Sequence, residues 1–186
     1  NLTPELNEGR AKVTVYLEDI NDNWPEFEED EDFTEIPENS PRGTPVITIT
    51  ATDLDSGIFG EITYSIQGGS ANLFTVNPAT GAVSVNVDAD LDHSLLDRER
   101  MDTHFLVFEA RDGGGLRTLV ELQVTLSDVN DNAPQIMRAF YEGFVSENAD
   151  DLDRPVFIEA TDLDLPPNNI LSYSISSGNA QDNFNM

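Results

Sequence analysis

The feature that most limits the possible folds is an internal repeat, in which matching residues lie 109 positions apart. Asp19 recurs as Asp128, and the segment "ATDLD" at Ala51–Asp55 recurs identically at Ala160–Asp164. Two further matches keep the same spacing: "PEN" at 37–39 with "SEN" at 146–148, and "YSI" at 64–66 with "YSI" at 173–175. A unit of this length is an ordinary domain rather than a solenoid repeat.

The repeat divides the 186-residue chain into three parts. Residues 1–23 are predicted to be the C-terminal strand and linker of a preceding unit, and residues 24–132 a complete unit with its linker. Residues 133–186 are predicted to be the N-terminal half of a following unit, which ends before its core is complete. Half a sandwich cannot bury both of its faces, so we expect this last part to be poorly stable alone.

Hydrophobic periodicity within the units is that of β-strands. Val120, Leu122, Val124 and Leu126 alternate with polar residues, and the same alternation occurs at 11–17. A period of two with one polar face predicts half-buried antiparallel strands. Further short strands are predicted at 46–51, 61–66, 74–76, 82–85 and 105–110, separated by glycine and proline turns. This pattern predicts an all-β fold, with immunoglobulin-like Greek-key sandwiches in tandem.

The charge balance excludes several classes of function. The chain carries 36 Asp and Glu against 9 Lys and Arg, a formal net charge of -27. Self-repulsion of this size opposes a compact state unless cations relieve it, and so few basic residues argue against nucleic-acid binding. The chain has no cysteine, so it has no disulfides and no thiolate zinc site. No apolar run approaches the length that spans a membrane.

Acidic residues recur where strands are predicted to end. "DINDN" at 19–23 and "DVNDN" at 128–132 follow final strands, and each is followed closely by proline. The other acidic positions are the "DLD" pairs Asp53/Asp55 and Asp162/Asp164, the first-strand residues Glu38 and Glu147, and the loop residues Asp97 and Glu99. Loops meet at the ends of a sandwich, so these carboxylates would repel unless a cation lay between them. Ca²⁺ accepts many oxygen ligands with loose geometry, and it suits this set better than Mg²⁺ or Zn²⁺.

Two competing interpretations of the acidic motifs fail. An EF-hand needs glycine at the sixth loop position, which here is Trp24 in one motif and Ala133 in the other. "DSG" at Asp55–Gly57 raises the possibility of an aspartic protease, but its counterpart is "DLP" at Asp164–Pro166, so a second catalytic loop is missing. No Ser-His-Asp arrangement or phosphate-binding glycine loop is visible either. We therefore predict that the chain is not an enzyme.

Taken together, these motifs resemble those of the cadherin superfamily. The resemblance rests on the two linker motifs with their prolines, on "PEN" and "SEN", on the repeated "ATDLD", on "LDRE" at Leu96–Glu99 and on "ARDGG" at Ala110–Gly114. It covers essentially the whole chain and assigns no subgroup. It implies consecutive extracellular cadherin repeats joined by linkers that hold Ca²⁺.

The resemblance also implies which residues hold the metal. At the first linker they would be Asp19, Asn21, Asp22, Asn23, Asp53, Asp55 and Asp112. At the second linker they would be Glu38, Asp97, Glu99, Asp128, Asn130, Asp131, Asp162 and Asp164, with the carbonyls of Val129 and Asn132. Glu147 would serve a third linker that is not present. Each set lacks ligands that lie outside this chain, so occupancy could be partial.

Two local departures from the family pattern bear on the ligand assignment. Phe59 stands where the family usually has Asn, and only its backbone carbonyl could act as a ligand. The stretch before "LDRE" is longer than expected, which leaves Asp92 as a rival to Asp97 and Glu99.

The function implied by the resemblance is that of a calcium-dependent cell-adhesion module. Ca²⁺ between repeats would make the ectodomain rigid for homophilic or heterophilic recognition. Its partners would be other cadherin ectodomains or a protein ligand, at the extracellular face of the plasma membrane, with any transmembrane segment outside this fragment. Alternatives are a receptor ectodomain that binds an unrelated ligand and a rigid spacer that contacts nothing. The sequon Asn1-Leu2-Thr3 fits N-glycosylation.

Overall fold

The computed structural model describes residues 9–28, 33–147, 152–179 and 184, and its centre is a β-sandwich. One sheet has four strands in the order β2 (Phe33–Pro37), β9 (Arg117–Ser127), β8 (Thr103–Arg111) and β5 (Thr63–Gly69). The second sheet has the order β3 (Pro45–Thr48), β7 (Ala82–Val85) and β6 (Phe74–Val76). A short pair joins β1 (Glu26–Phe27) to β4 (Ala51–Thr52), and a 3-10 helix spans Gly57–Gly60.

Strand β9 shows how the sequence builds the larger sheet. Its apolar residues Leu122, Val124 and Leu126 are buried, while Glu121 between two inward positions is exposed. On one side β9 pairs antiparallel with the whole length of β8, from Arg117 opposite Arg111 to Thr125 opposite Thr103. On the other side it pairs parallel with β2, from Phe33 opposite Gln123 to Pro37 opposite Ser127. β9 is therefore a central strand that buries one face.

The core lies between the two sheets. Phe74, Val83 and Val85 from the smaller sheet and Leu106 and Phe108 from the larger one belong to one buried cluster. Burying each such side chain contributes roughly 1.5–3 kcal/mol to the stability of the folded state. Leu96 belongs to the same cluster, so the loop that follows it is anchored to the core.

The structure confirms the predicted fold class, an all-β immunoglobulin-like sandwich. Strands β6 and β7 have the predicted bounds, and β5, β8 and β9 overlap the predicted ranges. The strand predicted at 46–51 is instead two strands, β3 and β4. The break arises because the chain changes partners there: β3 pairs with β7, whereas β4 pairs with β1. Strand β1 was not predicted, and β2, which ends directly before Glu38, corresponds to the first strand that was predicted there without bounds.

The strand predicted at 11–17 is wrong. No strand lies in residues 9–23, and Val13 and Leu17 are 81% and 95% exposed. A strand requires a hydrogen-bonded neighbour, and in the described part of the chain no other strand pairs with this segment. Alternation identifies the face that a strand would bury, but it does not supply the partner.

Residues 133–179 repeat one element of the sandwich. Strands β10 (Gln135–Ile136) and β11 (Ala160–Thr161) pair with Gln135 opposite Thr161. The β1–β4 pair has Glu26 opposite Thr52, each position 109 residues earlier. Large apolar side chains in this segment remain exposed, including Phe140, Phe157 and Ile170.

The N-glycosylation sequon at Asn1 and one residue of the "SEN" motif, Asn148, fall outside the described ranges. Over those same ranges, no helix has the length and apolar character needed to cross a bilayer.

Candidate metal centre

The first acidic cluster consists of Asp53, Asp55 and Asp112, whose oxygens lie within 4.8 Å of one another. Asp53 and Asp55 directly follow β4, and Asp112 directly follows β8, so the strand ends bring them together. The backbone N–H groups of Gly115 and Leu116 donate to Oδ1 of Asp112, the second at 2.9 Å. The N–H of Asp55 donates to Oδ1 of Asp53 at 2.9 Å.

Within the described part of the chain, three oxygens at this end are buried without a hydrogen-bond donor: Oδ2 of Asp53, Oδ2 of Asp112 and Oδ1 of Asn21. Burying an acceptor without a partner is costly unless a cation or water satisfies it. The unsatisfied atoms are carboxylate and amide oxygens, which are the ligand atoms that Ca²⁺ prefers. The residues present therefore fit an oxygen-coordinated cation.

The linker Asp19–Asn23 docks directly on the first cluster. The backbone N–H of Asn23 donates to Oδ2 of Asp55 at 3.1 Å, and its side-chain amide donates to Oδ1. The Asn23 amide is the main reason why the pKa of Asp55 is lowered. Asp19 accepts a hydrogen bond from the N–H of Ser56 at 2.8 Å. The linker is thus held by the residues that follow β4.

Gly114 allows the linker to approach the turn between β8 and β9. A Cβ atom at Gly114 would lie 1.8 Å from Nδ2 of Asn21 and 3.0 Å from the ring of Phe59. A side chain at this position would therefore displace Asn21. The aromatic ring of Phe59 packs beside this turn. Phe59 is the position at which the resemblance noted above leads us to expect Asn.

The second acidic cluster lies at the opposite end of β9. It comprises two overlapping groups, Glu38/Glu99/Asp128 and Glu99/Asp131/Asp164, and in each group the oxygens lie within 4.8 Å of one another. Glu38 is only 2% exposed. Its Oε1 accepts the N–H of Val129 and its Oε2 accepts the N–H of Arg98, both at 2.9 Å. Glu38 therefore joins the end of β2 to the linker and to the "LDRE" loop.

The hydrogen bonds of the first linker are repeated at the second, 109 residues later. The Asn132 backbone and side chain both donate to Asp164, at 3.3 and 2.9 Å. Asp164 donates its N–H to Asp162 at 3.0 Å, and Leu165 donates its N–H to Asp128 at 2.9 Å. Oδ2 of Asp164 is buried without a donor, like the orphaned oxygens of the first cluster. The two linkers therefore share a hydrogen-bonded framework as well as a sequence motif.

Four residues at the second cluster were not identified from the sequence. Nη2 of Arg98 contacts Glu99 and lies 2.7 Å from Oδ1 of Asp128. Asn168 donates to Oδ2 of Asp128 at 2.9 Å. The remaining two face Asp131: Asn39 donates to its Oδ2 at 2.6 Å, and Nδ1 of His93 lies 3.6 Å from that atom. Two of the four lie in motifs quoted from the sequence, Arg98 in "LDRE" and Asn39 in "PEN", but neither was identified as a partner of the acidic residues.

The electrostatics of the second cluster follow from these contacts. Burial opposes the charge of Arg98, but Glu99, Asp128 and Glu38 outweigh it and raise the pKa of that guanidinium. Burial raises the pKa of Glu99, and the neighbouring Glu38 adds to the effect. Burial also acts to raise the pKa of Asp128, but hydrogen bonds from Leu165 and Asn168 and the charge of Arg98 lower it overall.

The structure does not bring every predicted ligand into a cluster. Oδ1 of Asp97 accepts the N–H of Arg100 at 3.0 Å, and Asp92 accepts the N–H and hydroxyl of Ser94 at 3.2 and 2.6 Å. The acidic groups found among the described residues do not include Asp19, Asp22, Asp92, Asp97 or Asp162, and an amide such as that of Asn130 does not count toward an acidic group. Glu147 is exposed. The residues Asp19, Asp22, Asp97, Asn130 and Asp162 remain predicted ligands that this geometry does not test.

Comparison with known sequences identifies similarity between this chain and cadherins. The cadherin-domain family model matches residues 33–127. Cadherin-related family member 1 of Xenopus laevis is 40% identical over 185 residues, which is 99% of this chain and 20% of that protein. Human cadherin-related family member 2 is 39% identical over 180 residues, 95% of this chain and 13% of that protein. The chain thus spans a fifth or less of the length of these relatives.

Solved structures give the same result. Mouse cadherin-23 EC22-24 has a TM-score of 0.67 and 34% identity, covering 81% of this chain and 47% of that one. The human desmocollin-1 ectodomain has a TM-score of 0.73 and 34% identity, covering 88% of this chain and 31% of that one. The fold of this chain is therefore similar to that of cadherin ectodomains.

Proposed function

The chain belongs to the cadherin family, and from this premise we propose that it is a calcium-dependent adhesion module of a cell-surface ectodomain. Cadherins are adhesion ectodomains rather than enzymes, and their domains generally bind calcium. The observation that carries the proposal is the hydrogen-bonded framework repeated at the two linkers, together with buried carboxylate oxygens at each end that have no hydrogen-bond donor among the described residues. The proposed partners are other cadherin ectodomains or a protein ligand outside the cell.

Each cluster combines residues from parts of the chain that are distant in sequence. At the second end, Glu38 and Glu99 belong to the central sandwich, Asp128 and Asp131 to the linker, and Asp164 to the following segment. We propose that this cluster and its first-linker counterpart, Asp53/Asp55/Asp112 with Asn21, hold the metal. When bound, Ca²⁺ would supply the positive charge and the coordination that these oxygens lack.

Metal binding and linker ordering are then thermodynamically coupled. The carboxylates repel one another while the linker is free to move, and they can share a cation only when the sandwich, the linker and the following segment are held together. Binding to the ordered form alone stabilises it by mass action. Pro25 and Pro134 restrict the backbone just beyond each linker. The module would thereby become rigid in calcium and present its surfaces at a defined distance.

The proposal is tested by replacing two carboxylates of the first cluster with amides. We expect the unaltered chain to bind more than one Ca²⁺ in a calorimetric titration, and to melt about 10 °C higher in saturating Ca²⁺ than in chelator. The double variant Asp53→Asn/Asp112→Asn should bind fewer ions and lose part of that increase, because amides coordinate Ca²⁺ more weakly than carboxylates.

The matched control is Asp88→Asn, which makes the same chemical change at an exposed residue paired with Arg42 outside both clusters. It should keep the full calcium response. An unaltered chain that takes up no Ca²⁺ and melts identically in Ca²⁺ and chelator would contradict the proposal.

A further inference from the structure

The second cluster contains a cation that belongs to the chain itself. Nη2 of Arg98 contacts Glu99, lies 2.7 Å from Oδ1 of Asp128, and donates to the carbonyl of Leu163 at 3.0 Å. Its Nε lies 3.8 Å from Oε1 of Glu38. Three carboxylates thus share one guanidinium.

This guanidinium is as buried as the carboxylates around it. The side chain of Arg98 is 10% exposed, and those of Glu38, Glu99 and Asp128 are at most 15% exposed. Buried carboxylates that lose a paired cation are strongly destabilising, because their repulsion is no longer offset. Nε of Arg98 is buried and has no hydrogen-bond acceptor among the residues that the structure describes, so the side chain is held by charge more than by complete hydrogen bonding.

The Arg98 side chain also crosses the linker. Arg98 belongs to the loop between β7 and β8 of the sandwich, whereas Leu163 lies between Asp162 and Asp164 in the following segment. The bond between them joins residues 65 positions apart. Arg98 therefore makes the connection between sandwich, linker and following segment that the proposed function assigns to Ca²⁺.

Arg98 and a metal ion would compete for the same oxygens. Ca²⁺ binds carboxylate oxygens at about 2.3–2.6 Å, closer than the guanidinium now lies to Asp128. Two cations on one small set of carboxylates also repel each other, and partial burial weakens the screening of that repulsion. A divalent ion can therefore occupy the Glu38/Glu99/Asp128 group only after the guanidinium has moved away.

We propose that Arg98 is a built-in counter-cation, which holds the second cluster together without metal and which a divalent ion must displace. This inference rests on the proposed function, because it concerns the same carboxylates. As a consequence, the second cluster binds Ca²⁺ less tightly than its carboxylates alone would. The linker also keeps part of its order at low calcium.

The test is Arg98→Gln, which removes the charge and keeps a polar side chain. In chelator the variant should melt at least about 4 °C below the unaltered chain, because Glu38, Glu99 and Asp128 lose their cation. In a calcium titration made in the Asp53→Asn/Asp112→Asn background, the heat reports mainly the second cluster. When Arg98→Gln is added to that background, the Kd for Ca²⁺ at the second cluster should fall about tenfold.

Two further variants make the result specific. Arg117→Gln removes the same charge from an exposed arginine, which pairs with the buried Glu109 at the opposite end of β9, and it should leave the second-cluster affinity unchanged. Arg98→Lys keeps the positive charge but lacks the planar guanidinium group with its several N–H donors. Its melting temperature in chelator and its calcium affinity should both lie between those of the unaltered chain and of Arg98→Gln.

The inference is overturned if Arg98→Gln binds Ca²⁺ no more tightly than its background, or if it melts in chelator like the unaltered chain. A chain that takes up no Ca²⁺ at either cluster would refute the proposed function. The melt in chelator would still decide whether Arg98 holds the cluster together.

Discussion

Single residues in this chain take their roles from neighbours that are distant in sequence. The motifs place Glu38, Asp128 and Asp164 among the candidate ligands, and the structure places them in the acidic groups. Sequence reasoning could not show that Asn168 donates to Asp128, because that contact spans 40 residues and depends on how the following segment folds back. The types of ligand were therefore predictable, but the side chains that orient them were not.

His104 offers a residue-scale prediction that does not depend on metal. It is buried, its Nδ1 lies 3.0 Å from Oγ of Ser70, and its ring packs edge-on against Phe74 with centroids 6.2 Å apart. Burial lowers the pKa of His104 below its ordinary value of 6.5. The folded state therefore favours the neutral ring, and the unfolded chain binds the proton first as pH falls.

The sign of the pH effect follows from this order of protonation. The contribution of His104 to stability is complete above pH 6.5 and is lost as pH falls through that value towards the lower folded pKa. Melting in chelator between about pH 7.5 and 5 should show a smaller loss of stability for His104→Gln than for the unaltered chain. Equal losses in the two proteins would contradict this account, since the carboxylates are common to both.

At the scale of the elements, a strand could be predicted from the sequence when its own hydrophobic alternation and its nearest neighbour along the chain were enough to specify it. β9 is long, alternates cleanly and pairs with its sequence neighbour β8, so its own residues were sufficient to predict it. β2 has five residues and pairs parallel with a strand that begins 80 positions after Pro37. Nothing local in "FTEIP" specifies that pairing. The segment at 11–17 shows the opposite error, in which a good local pattern has no neighbour.

The alternation in β8 gives an element-scale prediction. Leu106 is fully buried in the centre of the larger sheet, whereas its neighbour Phe105 points outward and is 47% exposed. Leu106→Ala should lower the free energy of unfolding by about 2–5 kcal/mol, because it leaves a cavity between the sheets.

Phe105→Ala is the matched control on the same strand, and it should cost less than about 1 kcal/mol. Denaturant titrations at fixed Ca²⁺ compare the two variants directly. Similar losses for both would show that the outward face of β8 is also packed.

At the scale of the whole molecule, the formal charge of -27 opposes folding wherever no cation offsets it. In chelator, raising the ionic strength from about 0.01 to 0.15 M shortens the screening length from about 30 to 8 Å. The melting temperature should therefore rise with salt. In saturating Ca²⁺ the same change should have a smaller effect, because bound ions already offset the clustered carboxylates.

The measurement is a set of thermal melts at several NaCl concentrations, with and without Ca²⁺. A melting temperature that is indifferent to salt in chelator would show that repulsion is unimportant for the stability of this chain. A choline chloride series serves as the control for specific effects of sodium.

The parallel pairing of β2 with β9 has a mechanical consequence. The chain enters the sandwich near Asn23 at the first cluster, and it leaves after Ser127 at the second cluster, the opposite end of β9. A pulling force between entry and exit draws β2 one way and β9 the other, along the direction in which both strands run. The load falls in shear on all the hydrogen bonds from Phe33 to Pro37 together, so they cannot be unzipped one at a time.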